Sequence, residues 1–500
     1  MSHPRRGTSL LLRLAPPRGD ASARLIRAAA GVTLRRLRRA AVRFRIPALA
    51  RLEPRAATLL RAARDLIREL GPRDRLLVLH GPDLRGFLSE IEIWSGVLLD
   101  ARSTNSKRLF DRISRTEHLV ELLPHRRVDP GFPARAARLA SSRLAWAFDD
   151  LAALLLGARL AFLGGRGRFE ARLGIRESAE QGRPADRVDL GSFGGQAGPL
   201  SVTGGLPSGS LAGAGIRARL QDGLLSVRAR SGQESLFPQA AAPVRFPWTL
   251  NGGSRSMAPA GGSKGPTLLR RRLIPGTPIL LAPALRSSPR RLRVARDLPG
   301  LESRLAAGLR LARLAWPDAY EEILRRTAIV VPVEEPGLVS YSLAARPGVS
   351  FINVRGKTIV QLADDLLHET AHHLLHDLQE TADLLAPGPD TEEVQAFESP
   401  WRGTRRPLHG LLHGAYTFLF RAELFARLLR AQSRHRAIAG RLLGPRRAAF
   451  LSRELGRELG MIGGALNDLE RASRHGLVTP QGRVLVRSLR AWHTRLSRST

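Results

Sequence analysis

Residues 358–385 read TIVQLADDLLHETAHHLLHDLQETADLL. Leu362, Leu366, Leu367, Leu374, Leu375 and Leu378 recur at helical spacing, and Pro387-Gly388-Pro389 supplies a stop, so the stretch predicts one long helix. The apolar run VSFINV (Val349–Val354) lies just before it, bounded by Pro347-Gly348 and Gly356. A short buried strand, a tight loop and a long helix are the expected local architecture.

Inside the helix stands His368-Glu369-Thr370-Ala371-His372. At about 100° per residue, His368 and His372 lie about 40° apart around the axis and one turn apart along it. Both imidazoles can reach one metal ion, and Glu369, at the edge of that face, can reach a bound water or the ion itself. Apolar side chains surround the pair, and two histidines there are costly to bury without a partner. His373 is too far round to join them easily. His376, one turn beyond His372, reads as a supporting group. Asp364 and Asp365, one turn before His368, are candidates to orient its ring or simply to suit the helix N-terminal half.

An open metal site needs a third ligand. The downstream stretch PLHGLLHGAYTFLFRAELFARLL predicts an apolar helix from about Leu408 to Leu429, with His409, His413, Tyr416, Phe420 and Glu423 on one broad face. His413 is the first choice, because Gly410, Gly414 and Ala415 suit a close approach to the motif helix. Glu423 and His409 are the alternatives. Before that helix comes PWRGTRRP, whose three arginines, Arg402, Arg405 and Arg406, make the loop a credible clamp for an anion beside a metal.

Working outward, AIVVPVE (Ala328–Glu334) and PILLAPAL (Pro278–Leu285) read as strands, and LESRLAAGLRLARLAWPDAYEEILRR as helix broken near Pro317. RAATLLRAARDLIREL, Leu84–Leu99 and Ser141–Leu160 read as helices. Residues 164–265 are rich in Gly, Ser and Pro; there IRARL and LLSVRAR flank Gln221-Asp222-Gly223, a hairpin signal, and Gly252-Gly253 and Gly261-Gly262 mark loops. The expected fold class is α+β. It divides into a basic, weakly helical extension of poor order (1–45), a helical region (46–165), a β-rich irregular segment (166–266), a mainly helical metal-binding domain with a small sheet (267–435), and Arg-rich C-terminal helices (436–500).

Composition narrows the chemistry. The chain of 500 residues has no cysteine, which excludes disulfides, thiolate zinc sites, iron–sulfur clusters and cysteine nucleophiles; a metal must be held by His, Asp or Glu. The net charge of +36 invites a nucleic-acid partner. The excess is nearly all arginine, Lys107, Lys264 and Lys357 being the lysines, and it is spread along the whole chain. A solvated surface is therefore expected, with no nucleic acid, and an acidic peptide the better anionic partner. Arg13 interrupts Leu10–Leu12, and Asp149, Asp150 and Arg159 interrupt the most apolar stretch. Neither an export signal nor a membrane span is expected, and the location read from this is cytoplasmic.

HETAHH, followed by PWRGTRRPLHGLLHGAYTFLF, and preceded by AWPDAYEEILRRTAIVVPVEEPGLVSYSLAARPGVSFINV, resembles the HExxH-type peptide-modification proteins of ribosomal peptide natural-product clusters. The resemblance covers about 270–430. It implies an iron(II)- and 2-oxoglutarate-dependent peptide β-hydroxylase that uses dioxygen and takes a ribosomal precursor peptide as partner. On that carry-over His368, His372 and His413 match the motif histidines, Glu369 the motif glutamate, and Arg402 and Arg406 the PWR and RPL arginines. The rival readings are a zinc-dependent HExxH peptidase, with Glu369 as general base, and a non-catalytic binding protein with a degenerate metal site.

Overall fold

The computed structural model describes residues 19–103, 106–114, 130–162, 272–281, 300–337, 339–392, 394–434 and 436–499, together with short strands between 169 and 270. The helices and strands, in chain order, are α1 (Asp20–Arg43), α2 (Pro47–Leu52), α3 (Ala56–Glu69), α4 (Pro72–His80), α5 (Pro82–Arg102), α6 (Ser106–Ser114), α7 (Phe132–Phe162), the strands β1 (Phe169–Gly174) to β9 (Thr267–Arg270), then β10 (Arg272–Leu273), β11 (Leu280–Leu281), α8 (Leu301–Ala315), α9 (Pro317–Arg326), β12 (Ile329–Val333), β13 (Tyr341–Ser342), β14 (Val349–Asn353), α10 (Ile359–Thr381), α11 (Pro389–Glu392), β15 (Phe397–Ser399), β16 (Thr404–Arg406), α12 (Leu408–Arg434), α13 (Arg436–Arg474) and α14 (Pro480–Ser497). The chain is α+β, mainly helical with small sheets. No helix among the described residues is long and apolar enough to cross a membrane.

The sheet beside the motif helix has the order β10-β11-β12-β14-β13. Its centre, β11, β12 and β14, is parallel, and the flanking β10 and β13 pair antiparallel. IVVPV and VSFIN are buried at every position, as parallel strands covered on both faces must be. Their side chains alternate between two cores. Val330 and Ile352 join the large core under the motif helix, while Ile329, Val331, Val349 and Phe351 form a small cluster on the other face. Gly348 enters β14 at φ 82, a left-handed conformation that a side chain would strain.

The motif helix α10 starts at a reciprocal cap: the Gln361 N–H donates to Thr358 Oγ1 at 3.3 Å, and the Thr358 N–H to Gln361 Oε1 at 2.9 Å. Proline at the first helical turn starts α9 in the same way that it breaks the helix before it, as expected from Pro317. The expected hairpin is present as β5 (Ile216–Gln221) paired antiparallel with β6 (Leu224–Ala229). The turn residues Asp222-Gly223 and the glycine pairs 252–253 and 261–262 lie outside the described residues.

The basic extension expected over 1–45 needs correction. Residues 1–18 lie outside the described part, but α1 is a buried helix. Its Ala21 and Leu25 belong to the core under the motif helix, and its Ala30, Leu37 and Ala40 to the core of the N-terminal helices. Arginines on its outer face hide the apolar stripe from a reading by composition; periodicity alone marks it. The strand expected over Pro278–Leu285 is shorter, Leu280–Leu281, with the residues after it outside the described part.

Candidate metal centre

Two helices build the centre. On α10, His368, His372 and His376 follow at four-residue spacing and form one stripe. On α12, His409 and His413 form a second pair. The stripes meet: His372 Nδ1 stands 3.2 Å from His413 Nδ1. The His413 ring centroid is 5.4 Å from those of both His372 and His376, and 4.2 Å from that of His409. His368 joins through His372, their centroids 5.0 Å apart.

A hydrogen bond fixes the tautomer of His413. Its Nε2 lies 3.2 Å from Gln379 Oε1, and an amide oxygen only accepts, so Nε2 carries the proton. The lone pair of His413 is therefore on Nδ1, facing His372. Here His372 Nδ1–H donates to that lone pair. Two nitrogens bound to one tetrahedral ion at about 2.0–2.1 Å would stand roughly 3.3 Å apart, so the same spacing suits shared ligands once that proton is displaced.

Burial keeps these rings neutral, the form that binds metal. It lowers His372 to about 4, with His409 and Arg402 adding to the effect, and holds His368, His376 and His413 well below the ordinary value. The Nδ1 atoms of His368 and His376 are buried without a hydrogen-bond partner. Neutral imidazoles, orphaned nitrogens and a nearby carboxyl fit iron or zinc in donor chemistry. The full three-way convergence of His368, His372 and His413 is not present: among the described residues, no three His, Asp or Glu side chains are grouped as metal ligands.

Glu369 lies on the sheet side of α10, 1% exposed, with Oε2 lacking a hydrogen-bond partner. Burial pushes its carboxyl up to about 8; the Ser342 hydroxyl and Arg421 pull it down, and Asp365 and Asp364 push it further up. The alternative ligand Glu423 faces elsewhere. It accepts from Arg427 Nε at 2.6 Å and Trp492 Nε1 at 2.7 Å, which turns it toward α14. His409 is exposed at the rim.

Arg402 is exposed and Arg406 half-buried. Arg402 depresses His372, and Arg406 depresses His409 and His413, so both charges are felt at the cluster. The small residues of α12 serve a different purpose from the expected one. A Cβ at Gly414 would lie 2.6 Å from the Trp401 ring, and one at Gly410 would lie 3.5 Å from Arg406. The glycines seat the PWR loop, not the motif helix. Trp401 in turn stacks on Phe418 at 4.4 Å, and Phe418 meets His368 edge-on at 4.9 Å.

The two aspartates do not orient His368. Asp364 binds Arg421 at 2.8 Å, while Asp365 accepts from Ser340 Oγ at 2.7 Å and pairs with Lys357 at 3.2 Å. Gln379, Trp401, Phe418 and Arg421 are residues that sequence reading missed. Gln379 alone left a usable signal, since it continues the stripe of His368, His372 and His376 at about 20° from His368.

No family model matches the chain, and no curated protein matches it.

Proposed function

We propose that this chain is a cytoplasmic, non-haem iron(II)- and 2-oxoglutarate-dependent hydroxylase acting on a side-chain carbon of a ribosomally made precursor peptide. The observation that carries the reading is the meeting of His413 Nδ1 with His372 Nδ1 at 3.2 Å across two helices, with the His413 lone pair turned inward by Gln379. His368, His372 and His413 would hold the metal. Bound there, iron(II) with 2-oxoglutarate supplies the dioxygen activation that attack on an aliphatic C–H bond needs.

The chain's own residues do the rest. Gln379 holds the proton of His413 on Nε2. Arg406, half-buried and close enough to depress both His409 and His413, would bind the distal carboxylate of 2-oxoglutarate, with the exposed Arg402 as the alternative. The Trp401–Phe418 stack lies against the His368 ring and would wall that side of the site. The resemblance of HETAHH and PWRGTRRPLHGLLHG to peptide-modification proteins supports iron, 2-oxoglutarate and a peptide substrate.

The zinc peptidase is the second reading, favoured by the position of Glu369 next to His368. In that role Glu369 would act as general base, its carboxylate kept ionised by the neighbouring dication. Anaerobic purification, metal analysis and turnover of 2-oxoglutarate to succinate decide between them. Iron with succinate formation supports the hydroxylase. Zinc with peptide cleavage establishes the peptidase, and neither outcome leaves a non-catalytic binding protein.

A further inference from the structure

The back of the motif helix carries a buried charge cluster that the proposed chemistry does not use. Asp377 is nine residues after His368, about two and a half turns, so it points away from the metal face. Its side chain is 1% exposed and is met from three other helices. Asp377 Oδ2 is 3.0 Å from His80 Nε2 of α4, Oδ1 is 2.8 Å from Arg85 of α5, and Oδ2 is 3.6 Å from Arg326 of α9. Arg85 also reaches Glu380, at 3.1 Å, and Arg36 of α1 reaches Glu380 at 3.5 Å. Arg326 pairs with Glu322 at 3.2 Å, and Glu322 accepts from Ser22 Oγ of α1 at 2.8 Å.

A buried ion pair is seldom a better stabiliser than apolar residues of the same volume; its distinctive property is direction. Leucines on the back of a helix tolerate a small rotation, whereas a carboxylate hydrogen-bonded to His80 and flanked by the charges of Arg85 and Arg326, which meet it as ion pairs without hydrogen-bond geometry, resists one. Rotating α10 by about 10° would carry a ligand nitrogen about 1 Å sideways, given a helix diameter of roughly 10–12 Å with side chains. A metal site tolerates only about 0.5 Å.

We infer that Asp377 is a positioning residue for the metal centre, and that the N-terminal helices, through Arg85 and His80, set the rotation of the histidine helix against His413. The inference rests on the reading of His368, His372 and His413 as metal ligands. It makes the N-terminal helices part of what positions the metal site, acting from behind the histidine helix. The opposed charges keep Asp377 ionised, far below the usual carboxylate range, despite its burial.

Cobalt(II) alone, added anaerobically to the full metal-free chain, is the probe, read by its visible absorption bands and by the dissociation constant. Asp377→Asn and Arg85→Met should each weaken binding by about 10-fold or more, as loss of a group supporting a metal ligand does, and should shift the bands while circular dichroism shows a folded chain. Arg85→Lys should recover most of the affinity. Folded variants with wild-type affinity and bands, and only a lower Tm, would overturn the inference and leave the metal reading standing. Should Asp377→Asn fail to fold, His80→Gln decides by the same two readouts. A wild-type chain that binds no cobalt overturns the metal reading and this inference together.

Discussion

Gln379 on α10 and His413 on α12 are joined by a 3.2 Å hydrogen bond from His413 Nε2 to Gln379 Oε1. That bond places the proton of His413 on Nε2 and leaves its lone pair on Nδ1, aimed at His372, as the proposed ligand role requires. Replacing Gln379 with Leu removes the acceptor and frees the tautomer. Metal affinity should fall by about 10- to 100-fold with the fold retained. A cobalt titration of the Gln379→Leu variant checks this, and wild-type affinity would refute the role of the bond.

The third ligand is tested by a pair of variants. His413→Ala, like His368→Ala and His372→Ala, should remove stoichiometric metal. Glu423→Gln should keep it, because Glu423 is occupied by Arg427 and Trp492. Its cost should appear in stability, on the order of 1–3 kcal/mol for a buried polar network left part-paired. Metal analysis and thermal melting of the same samples separate the two outcomes; metal lost on Glu423→Gln would exchange their roles.

Arg406→Ala should raise the apparent KM for 2-oxoglutarate by about 10-fold or more with iron retained, a charge-assisted hydrogen bond contributing about 1.5–3 kcal/mol. Arg402→Ala should have the smaller effect, since its side chain is exposed. Arg421→Ala should act differently again: it leaves Asp364 and Glu458 without their shared cation and should lower Tm before it alters KM. Steady-state kinetics at saturating iron distinguish the three.

Two opposed pH effects should act on the stability of the metal-free chain, one below about pH 6.5 and one between about pH 4.5 and 8. His372 and His373 stay neutral in the fold down to about 4 and about 3, while the unfolded chain takes up protons from about pH 6.5. The unfolded state therefore binds more protons in that window, and stability falls as pH drops through it, by up to about 1.4 kcal/mol per pH unit for each such histidine. Glu369 works in the opposite sense. Its folded value of about 8 exceeds the ordinary 4.5, so its contribution is present below pH 4.5 and is lost as pH rises toward 8. Glu369→Gln should abolish the loss between about pH 4.5 and 8, so that the histidine effect stands unopposed below about pH 6.5. Urea unfolding from pH 4 to 9 on chelated protein measures both.

Much of this molecule was legible from local pattern. The helix of residues 359–381, its Thr358 start, the strand VSFIN, the break at Pro317 and the hairpin at 216–229 all follow from periodicity and turn chemistry, which act between residues a few positions apart. Local pattern also placed His368, His372 and Glu369 on adjoining parts of one helix, because i and i+4 share a face whatever surrounds them. It nominated His413 by the small residues Gly410, Gly414 and Ala415 beside it. The long-range choices were beyond its reach. Gly414 reads as a helix contact and instead seats Trp401; Asp364 and Asp365 read as partners of His368 and instead bind Arg421, Ser340 and Lys357; Glu423 shares a face with His413 and yet turns to Trp492. Each depends on which helix lies opposite, and the spacing of residues along one helix carries no information about its neighbour. The tertiary structure alone decided that Arg85 and His80 stand behind the histidine helix, because a carboxylate buried at Asp377 must find its cations wherever packing brings them, here almost three hundred residues away in the chain.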